Sequence, residues 1–325
     1  MNILVTGGAG FIGSAFIRLL HQKRPAWKIV NVDKLTYAGN LENLKEVAPH
    51  HSYTFVQGDI ADAQLMAGLL KQYSIQTIVN FAAESHVDRS IQDSGAFIET
   101  NVVGTHVLLE NAKRFSVDKF VQVSTDEVYG SLSSGGFFTE TTPLAPNSPY
   151  AASKAASDVL ARAYFKTFGL PMVITRCTNN FGPYQYPEKL IPLFILRALN
   201  NEPLPVYGDG LYVRDWIHVE DHCKALLLVL EQGRSGEIYN IGARCEKMNI
   251  DIAKRILQIL KKPTALLSYV KDRPGHDRRY AIDPTKIEQE LGWKPQFHLD
   301  DYLEILIRWY EEHPLWWKKI LSQKS

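Results

Sequence analysis

Residues 2–13 of the chain read Asn2-Ile3-Leu4-Val5-Thr6-Gly7-Gly8-Ala9-Gly10-Phe11-Ile12-Gly13. The first five residues predict a short apolar strand, and glycines follow at the spacing Gly7-x-x-Gly10-x-x-Gly13. Apolar residues then recur at helical spacing, which predicts an amphipathic helix, at Ile12, Ala15, Phe16, Leu19 and Leu20. A strand, a glycine turn and a helix in this order are typical of the start of a dinucleotide-binding fold. Glycines let the backbone approach a pyrophosphate, and the helix start offers it free N–H groups.

A second predicted strand, Lys28–Val32, ends at a carboxylate, Asp33. Asp33 follows Gly13 by 20 residues, where a ribose-binding acid is expected in such a fold. A carboxylate there repels a 2′-phosphate and therefore favours NAD over NADP. The glycine spacing differs from the commoner GxGxxG and is weak evidence by itself. For Asp33, the alternative interpretation is a surface carboxylate at the end of a strand.

Strand-like and helix-like segments keep alternating, which predicts a parallel, doubly wound α/β sheet of the Rossmann type. Further strands are predicted at Tyr53–Val56, Thr77–Phe81 and Met172–Thr175, and helices at Ala63–Gln72, Ala96–Arg114 and Ala151–Phe168. After these strands, Asp59 suits the adenine side of the cofactor or a simple turn. The small residues Ala82, Ala83 and Ser85 would let a cofactor lie against the backbone.

Composition bounds the class of protein. The chain has 325 residues, 45% hydrophobic and 22% charged, with a formal net charge of +1. This is ordinary for a globular protein and gives no electrostatic case for nucleic acid or an anionic membrane as a partner. We predict no membrane-spanning segment and no metal site. Three cysteines without CxxC pairing favour reduced thiols and a cytoplasmic location.

A third stretch ends in polar groups: the predicted strand from Phe120 leads into Ser124-Thr125-Asp126-Glu127. Ligands of open α/β sheets bind beyond the carboxyl ends of the strands, so these groups are candidates for catalysis. The alternative is a capping or turn cluster, since Ser, Thr and Asp are common after strands.

The stretch Pro146–Lys154 predicts the start of a helix, with Ser148 as its cap and Pro149 in its first turn. Tyr150 and Lys154 are one turn apart and share a face. An ammonium beside a phenol stabilises the phenolate, which brings proton transfer by tyrosine within reach at neutral pH. A solvated Tyr–Lys pair on a helix surface is the alternative.

The glycine motif combined with Tyr150-x-x-x-Lys154 resembles the extended short-chain dehydrogenase/reductase family, whose members act on nucleotide sugars. Residues 124–130 resemble its subfamily of dTDP-glucose 4,6-dehydratases, as do residues 33–40 and 82–90. The resemblance runs from residue 1 to about 312. Phe181 departs from it, because the family more often has Tyr there, which puts local packing in doubt.

The resemblance implies roles for individual residues. The catalytic set would be Thr125, Asp126, Glu127, Tyr150 and Lys154. NAD would be bound by Gly7, Gly10, Phe11, Ile12, Gly13, Asp33, Lys34, Leu35, Thr36, Asp59, Ile60, Phe81, Ala82, Ala83, Ser85, Thr100, Tyr150, Lys154 and Asn180. The dTDP-sugar would be bound by Ser85, Thr125, Asn179, Lys189, Leu190, Pro205, Tyr207, Arg214, Asn249, Arg273 and His276.

Beyond Arg176 the pattern becomes irregular and rich in proline. We expect an NAD-binding domain at residues 1–176, to which about 215–241 return, and a smaller sugar-nucleotide lobe mainly at 177–325. We interpret Trp309, Trp316 and Trp317 as packing residues. The family implies a homodimer built through helices such as 100–114 and 151–168. Another NAD-dependent sugar-nucleotide dehydratase, epimerase or decarboxylase of the same fold is an alternative, and a non-catalytic NAD-bound regulator is one of another class.

Overall fold

The structure is a computed structural model that describes residues 1–133 and 135–322. Its strands are β1 (Asn2–Thr6), β2 (Lys28–Asp33), β3 (Tyr53–Gln57), β4 (Thr77–Asn80), β5 (Lys119–Thr125), β6 (Met172–Cys177), β7 (Asn179–Phe181), β8 (Leu204–Tyr207), β9 (Val213–His218), β10 (Ile238–Ile241), β11 (Glu246–Met248) and β12 (Leu267–Val270). Its helices are α1 (Phe11–Lys23), α2 (Ala63–Gln72), α3 (Val87–Gln92), α4 (Gly95–Phe97), α5 (Thr105–Arg114), α6 (Pro149–Phe168), α7 (Leu190–Leu199), α8 (Val219–Gln232), α9 (Asn249–Ile259), α10 (Thr285–Leu291), α11 (Leu299–Glu312) and α12 (Pro314–Ser322).

Seven strands form the central sheet, in the order β10-β6-β5-β4-β1-β2-β3, and all neighbouring pairs are parallel. Successive residues of a strand point to opposite faces of its sheet. In β1, Ile3 and Val5 enter one apolar cluster while Leu4 enters the other. Because both faces are buried, such a strand is a continuous apolar run, as the sequence of residues 2–6 suggested.

Helices cover both faces of the sheet. On one face α1 packs against α8, and on the other α5 packs against α2 and α6. Of the apolar stripe of α1 predicted from the sequence, Ala15, Phe16 and Leu20 are buried there, and Ile12 and Leu19 pack against the same cluster while partly exposed. The predicted doubly wound parallel sheet is therefore confirmed.

The carboxyl ends of the strands meet at one edge of the sheet. The strand order reverses between β1 and β4, because the chain proceeds from β1 to β2 on one side and from β4 to β5 on the other. A crevice opens at such a reversal, and ligands of open α/β sheets bind in it. Thr6, Asp33, Asn80 and Thr125 end four of these strands and so lie near one another along the crevice.

A smaller lobe follows β6. It contains the three-stranded sheet β11-β9-β7 and the parallel pair β12-β8. The apolar faces of α7, α9, α11 and α12 form its core, with Phe194, Ile256, Leu306 and Trp317 among the buried side chains. The chain returns from this lobe to the large sheet, where β10 lies parallel to β6 and α8 covers the face beside α1.

One predicted helix differs from the structure. Residues 96–114 were expected to form a continuous α-helix, but Ile98–Gly104 is π-helical between α4 and α5. The wider turn holds the buried Asn101, whose amide bonds the backbone of Glu84 in both directions (2.9 and 3.0 Å) and the hydroxyl of Ser153 (2.8 Å). Such π-bulges recur at functional sites. No helix in residues 1–133 and 135–322 is long and apolar enough to cross a membrane.

Candidate active site

The glycine turn after β1 forms a tight cradle. Gly7 has a φ of +68°, and a Cβ there would lie 2.6 Å from the backbone nitrogen of Ala82. A Cβ on Gly13 would lie 2.4 Å from the carbonyl oxygen of Gly7. No side chain caps the start of α1 at Gly10, so the first N–H groups of the helix stay available for an anion. The cradle therefore fits the diphosphate of a dinucleotide.

Asp33 lies at the end of β2 beside this cradle. Its carboxylate accepts hydrogen bonds from the backbone N–H groups of Ala9 (2.9 Å) and Leu35 (2.8 Å). Burial raises the pKa of Asp33, although both backbone bonds favour the ionised form. Its position at the carboxyl end of the strand next to the glycine turn suits a ribose contact.

Almost all the predicted cofactor residues line one cleft along this edge. Those that do are Gly7, Gly10, Phe11, Ile12, Gly13, Asp33, Lys34, Thr36, Asp59, Ile60, Phe81, Ala82, Ala83, Ser85, Thr100, Tyr150, Lys154 and Asn180. The cleft also contains Thr125, Asp126, Glu127, Asn179 and Lys189. Leu35 lies outside this cleft, on the wall of a neighbouring surface pocket, and only its backbone N–H reaches Asp33. The structure thus brings the predicted catalytic and cofactor residues together.

The two adjacent carboxylates follow β5 on a 3₁₀ turn, Asp126–Tyr129. Thr125 caps this turn, since its hydroxyl accepts the N–H of Glu127 at 3.3 Å. Neither carboxylate has a capping role, so the capping interpretation of the pair does not describe the structure.

The environments of the two carboxylates differ. Asp126 is 2% exposed, and its Oδ2 has no hydrogen-bond partner among the described residues. Burial raises the pKa of Asp126 well above its ordinary value, and the charges of Glu127 and Asp215 add to this effect. Burial also raises the pKa of Glu127, but the cations Arg273, Arg214 and Lys189 oppose the rise. Burial and nearby negative charge therefore favour the protonated form of Asp126, whereas nearby positive charge favours the ionised form of Glu127.

Tyr150 and Lys154 lie on the first turns of α6, under the same cleft. Ser148 caps the helix by accepting the N–H of Ala151 at 3.1 Å, as its sequence predicted. Tyr150 is 8% and Lys154 4% exposed, which excludes a solvated surface pair. The ammonium of Lys154 donates to the carbonyl oxygen of Val123 at 2.7 Å, which holds it at the end of β5.

Burial moves both groups toward their neutral forms. It raises the pKa of Tyr150 well above 10, and the charge of Glu127 adds to the rise. It also lowers the pKa of Lys154, while the carboxylate of Asp158 one turn further along α6 opposes the change. Asp158 is itself buried and accepts a bond from Arg176 Nε at 2.9 Å. Asp158 is thus the carboxylate that favours the charged form of Lys154 against the effect of burial.

Basic residues from separate segments surround the acid end of the cleft. Lys189 donates to the carbonyl oxygen of Ser85 at 3.2 Å. Arg214 is 5% exposed and donates to the carbonyl oxygen of Asp277 at 2.9 Å. Arg273 donates to Asp88 at 3.3 Å. All three cations lower the pKa of Glu127 against the effect of burial, so they lie near this carboxylate.

The other predicted substrate residues, Arg214 and Arg273 included, do not line the cleft. His276 stacks on Tyr212, with 3.7 Å between ring centroids, and lies edge-on to Tyr207 at 6.2 Å. The hydroxyl of Tyr207 donates to Asp88 at 3.4 Å, the carboxylate that Arg273 also contacts. Leu190 begins α7, Pro205 lies in β8 and Asn249 begins α9.

Several cleft residues were not identified from the sequence: Glu84, Tyr184, Tyr186, Trp316 and Ile320. The interpretation of the tryptophans as packing residues is incomplete, because Trp316 also lines the cleft. Trp317 is buried in the lobe core, and Trp309 packs against this core while partly exposed. Phe181, the departure from the family pattern, is fully buried with its ring 5.2 Å from that of His218.

Known proteins with a similar sequence or structure are nucleotide-sugar enzymes. The model of one protein family, GDP-mannose 4,6 dehydratase, matches residues 4–306. A dTDP-glucose 4,6-dehydratase of Xanthomonas campestris pv. campestris (strain B100) is 50% identical, over 98% of this chain and 95% of its own. A solved dTDP-glucose 4,6-dehydratase of Streptomyces venezuelae with NAD bound superposes with a TM-score of 0.95 at 52% identity, covering 98% of this chain and 100% of that one.

More distant structures share the fold. A UDP-glucose 4-epimerase of Thermus thermophilus, in complex with NAD, has a TM-score of 0.89 at 28% identity, covering 96% of this chain and 100% of that one. The dehydratases are thus far more similar in sequence than the epimerase, over almost the whole chain. The chain therefore belongs to the GDP-mannose 4,6 dehydratase family and, within it, groups with the dTDP-glucose 4,6-dehydratases.

Proposed function

We propose that the protein converts dTDP-glucose to dTDP-4-keto-6-deoxyglucose and water, with NAD as a cofactor that is regenerated in each cycle. One observation carries the proposal: two adjacent carboxylates, Asp126 and Glu127, differ in their electrostatic environment and share a cleft with Tyr150. An elimination needs one acid and one base side by side, and two carboxyl groups with separated pKa values supply them. An epimerase has no use for such a pair.

NAD fits the cleft because the glycine cradle admits a diphosphate and Asp33 stands where a ribose would lie. When bound, NAD supplies the hydride chemistry, oxidation at C4 and later reduction at C6. Asp33 disfavours a 2′-phosphate, which is the reason for preferring NAD to NADP. The residues that line the cleft beside β1, β2 and β4 would hold the NAD.

Tyr150 accepts the proton of the 4-hydroxyl during the oxidation. Burial makes its phenolate costly, so the charge of Lys154 one turn away is required to stabilise it. The hydroxyl of Thr125, at the end of β5, donates to the 4-keto oxygen that forms. The ketone makes the C5 hydrogen acidic and prepares the elimination.

The two carboxylates then divide the loss of water. Glu127 removes the C5 proton, for which its ionised form is needed. Asp126 donates its proton to the 6-hydroxyl, which leaves as water while the C5–C6 double bond forms. Burial, together with the charges of Glu127 and Asp215, raises the pKa of Asp126, which makes Asp126 the better proton donor of the two.

We infer that the substrate's diphosphate binds between Lys189, Arg214 and Arg273, with Asn249 and His276 as further contacts. Three cations within the field of Glu127 support this placement. Pro205 and Tyr207 of β8 would contact the thymine base. In this division, residues 1–176 with the returning segment 215–241 hold NAD, and residues 177–325 mainly hold the sugar nucleotide.

We also propose that the protein is a cytoplasmic homodimer that serves deoxysugar biosynthesis. An exposed stripe of small apolar residues runs along α6 through Ala152, Val159 and Ala163, and Val103 is exposed on the preceding π-helical segment. Such a stripe supports a homodimer packed through these helices. The product is a precursor for deoxysugars such as dTDP-rhamnose. Three cysteines without a disulfide support the cytoplasm as the location.

An assay with three substrates tests the proposal. Purified protein is incubated with dTDP-, UDP- and GDP-glucose, without added NAD, and the 4-keto product is detected by its absorbance in alkali. We expect product from dTDP-glucose and no net NADH. Stoichiometric release of NADH would instead indicate a plain dehydrogenase, and product from UDP- or GDP-glucose alone would contradict the choice of nucleotide.

A further inference from the structure

The C-terminal helix α12 contacts both halves of the protein. One side of it belongs to the lobe core, where Trp317 is 8% exposed and its indole N–H donates to the carbonyl oxygen of Tyr310 at 2.9 Å. The neighbouring residue, Trp316, lies on the cleft, as does Ile320 one turn later. Trp316 therefore contacts both the cleft and the edge of the lobe core, whereas Trp317 is buried in the core.

Trp316 is connected to the glycine cradle through a single side chain. Its indole N–H donates to Oδ1 of Asn43 at 2.9 Å. The amide nitrogen of Asn43 then donates to the carbonyl oxygen of Ala9 at 3.0 Å. Ala9 stands between Gly8 and Gly10, in the turn that would cradle the diphosphate. The last helix of the chain thus reaches the first loop through two hydrogen bonds.

The centre of the relay, Asn43, is buried and has several supports. Asn43 is 4% exposed, and its backbone carbonyl accepts a bond from Arg18 of α1 at 2.6 Å. The guanidinium of Arg18 lies 4.5 Å from the ring centroid of Tyr184, which lies edge-on to Trp316 at 5.7 Å. Buried amides held at both ends have one orientation, so each bond helps to fix the next.

A surface ion pair completes the contact. Lys319 of α12 lies 3.0 Å from Glu42, next to Asn43, but both side chains are about half exposed. Exposed pairs of this kind contribute little to stability, so the half-buried tryptophan makes the stronger contact.

We propose that α12 is a clamp on the cofactor-binding loop, and that Trp316 is a positioning residue that slows the release of NAD by holding Asn43 and Ala9 in place. The inference rests on the proposed function, in which NAD stays bound from one cycle to the next. The clamp forms only when the last helix of the lobe is docked on residues 41–44, so cofactor retention depends on the docking of the two halves.

The adjacent tryptophans provide a matched test. Wild-type protein, Trp316→Phe and Trp317→Phe are loaded with radiolabelled NAD and chased with excess unlabelled NAD, and the loss of label is followed by filtration. Trp316→Phe removes the bond to Asn43 and should release NAD about tenfold faster, the scale of one buried hydrogen bond. Trp317→Phe removes an equivalent bond inside the lobe, so it should lower the thermal unfolding temperature and leave the release rate within about twofold of wild type.

A variant at the other end of the relay tests the route. Asn43→Ala should also accelerate release, and adding Trp316→Phe to it should produce no further change, because both act through the same bond. Release at the wild-type rate in Trp316→Phe, or equal acceleration in both tryptophan variants, would overturn the clamp. If the wild-type protein dehydrates its substrate normally, these outcomes refute the clamp alone. If the wild-type protein binds no NAD, the clamp and the proposed function are refuted together.

Discussion

The sharpest prediction concerns Asp126, whose burial favours its protonated form. In Asp126→Asn a neutral amide replaces a carboxyl group whose neutral form is favoured by burial, so the fold should tolerate the change. The acid that protonates the 6-hydroxyl is lost, and loss of a general acid costs a factor of roughly 10² or more. At about 1.36 kcal/mol per decade this corresponds to about 2.7 kcal/mol or more of activation free energy.

The assay separates the steps of the reaction. Oxidation at C4 depends on Tyr150 and Lys154, so Asp126→Asn should still produce the absorbance of bound NADH after mixing with substrate. Very little 6-deoxy product should follow, while the C5 hydrogen should still exchange with solvent. The companion Glu127→Gln lacks the base and should form NADH without this exchange. Full dehydration in both variants, or loss of NADH formation in both, would refute the division of roles.

Stability gives an independent check on the protonation state. The folded pKa of Asp126 is raised above its ordinary value of 3.8, so the unfolded chain loses this proton at lower pH than the folded protein does. The group therefore stabilises the wild type fully below about pH 3.8 and loses that contribution as pH rises toward the folded pKa. Asp126→Asn has no such proton to lose. Its free energy of unfolding, measured with urea, should therefore rise relative to that of wild type by up to about 1.4 kcal/mol per pH unit above about pH 3.8. A constant difference across that range would mean that Asp126 is ionised in the folded protein.

Three further predictions follow from the site. Substrate with deuterium at C4 should give product with deuterium at C6 and solvent hydrogen at C5, as read by NMR; deuterium back at C4 in inverted configuration would indicate an epimerase. Tyr150→Phe should slow the formation of bound NADH by roughly 10² or more in stopped flow, with a wild-type circular dichroism spectrum, and a normal rate would remove Tyr150 from the reaction. Asp158→Asn leaves Arg176 buried without its counter-ion, so urea unfolding should report a loss of about 3–5 kcal/mol; a loss below about 1 kcal/mol would mean that the pair is not needed for stability.

The parts of the site that rest on short stretches of chain were predictable from the sequence. The glycine turn with Asp33, and the helix start that places Tyr150 and Lys154 on one face, are local patterns with one geometric outcome. The parallel direction of the strands follows from the alternation of strands and helices, so the meeting of their carboxyl ends at one edge also follows. These features needed no knowledge of tertiary contacts.

The electrostatic environment of the carboxylates was not predictable in the same way. Asp215 raises the pKa of Asp126 across 89 positions of sequence (215 − 126), and Arg273 affects Glu127 from further still. Nothing near residue 126 indicates which carboxyl group is protonated. Trp316 was missed for the same reason, since only the docking of α12 on Asn43 reveals its contact with the cleft.

The return of β10 to the edge of the large sheet restricts how this protein can be recombined with its relatives. A fragment ending at residue 176 would lack the strand that pairs with β6 and the helix α8, which buries Leu226, Val229 and Leu230 against the sheet. It would expose an open strand edge beside an apolar face, a combination that favours aggregation. Chimeras that graft a foreign sugar-nucleotide lobe onto this cofactor half therefore need two crossover points, with residues 219–241 kept from the same parent as β6.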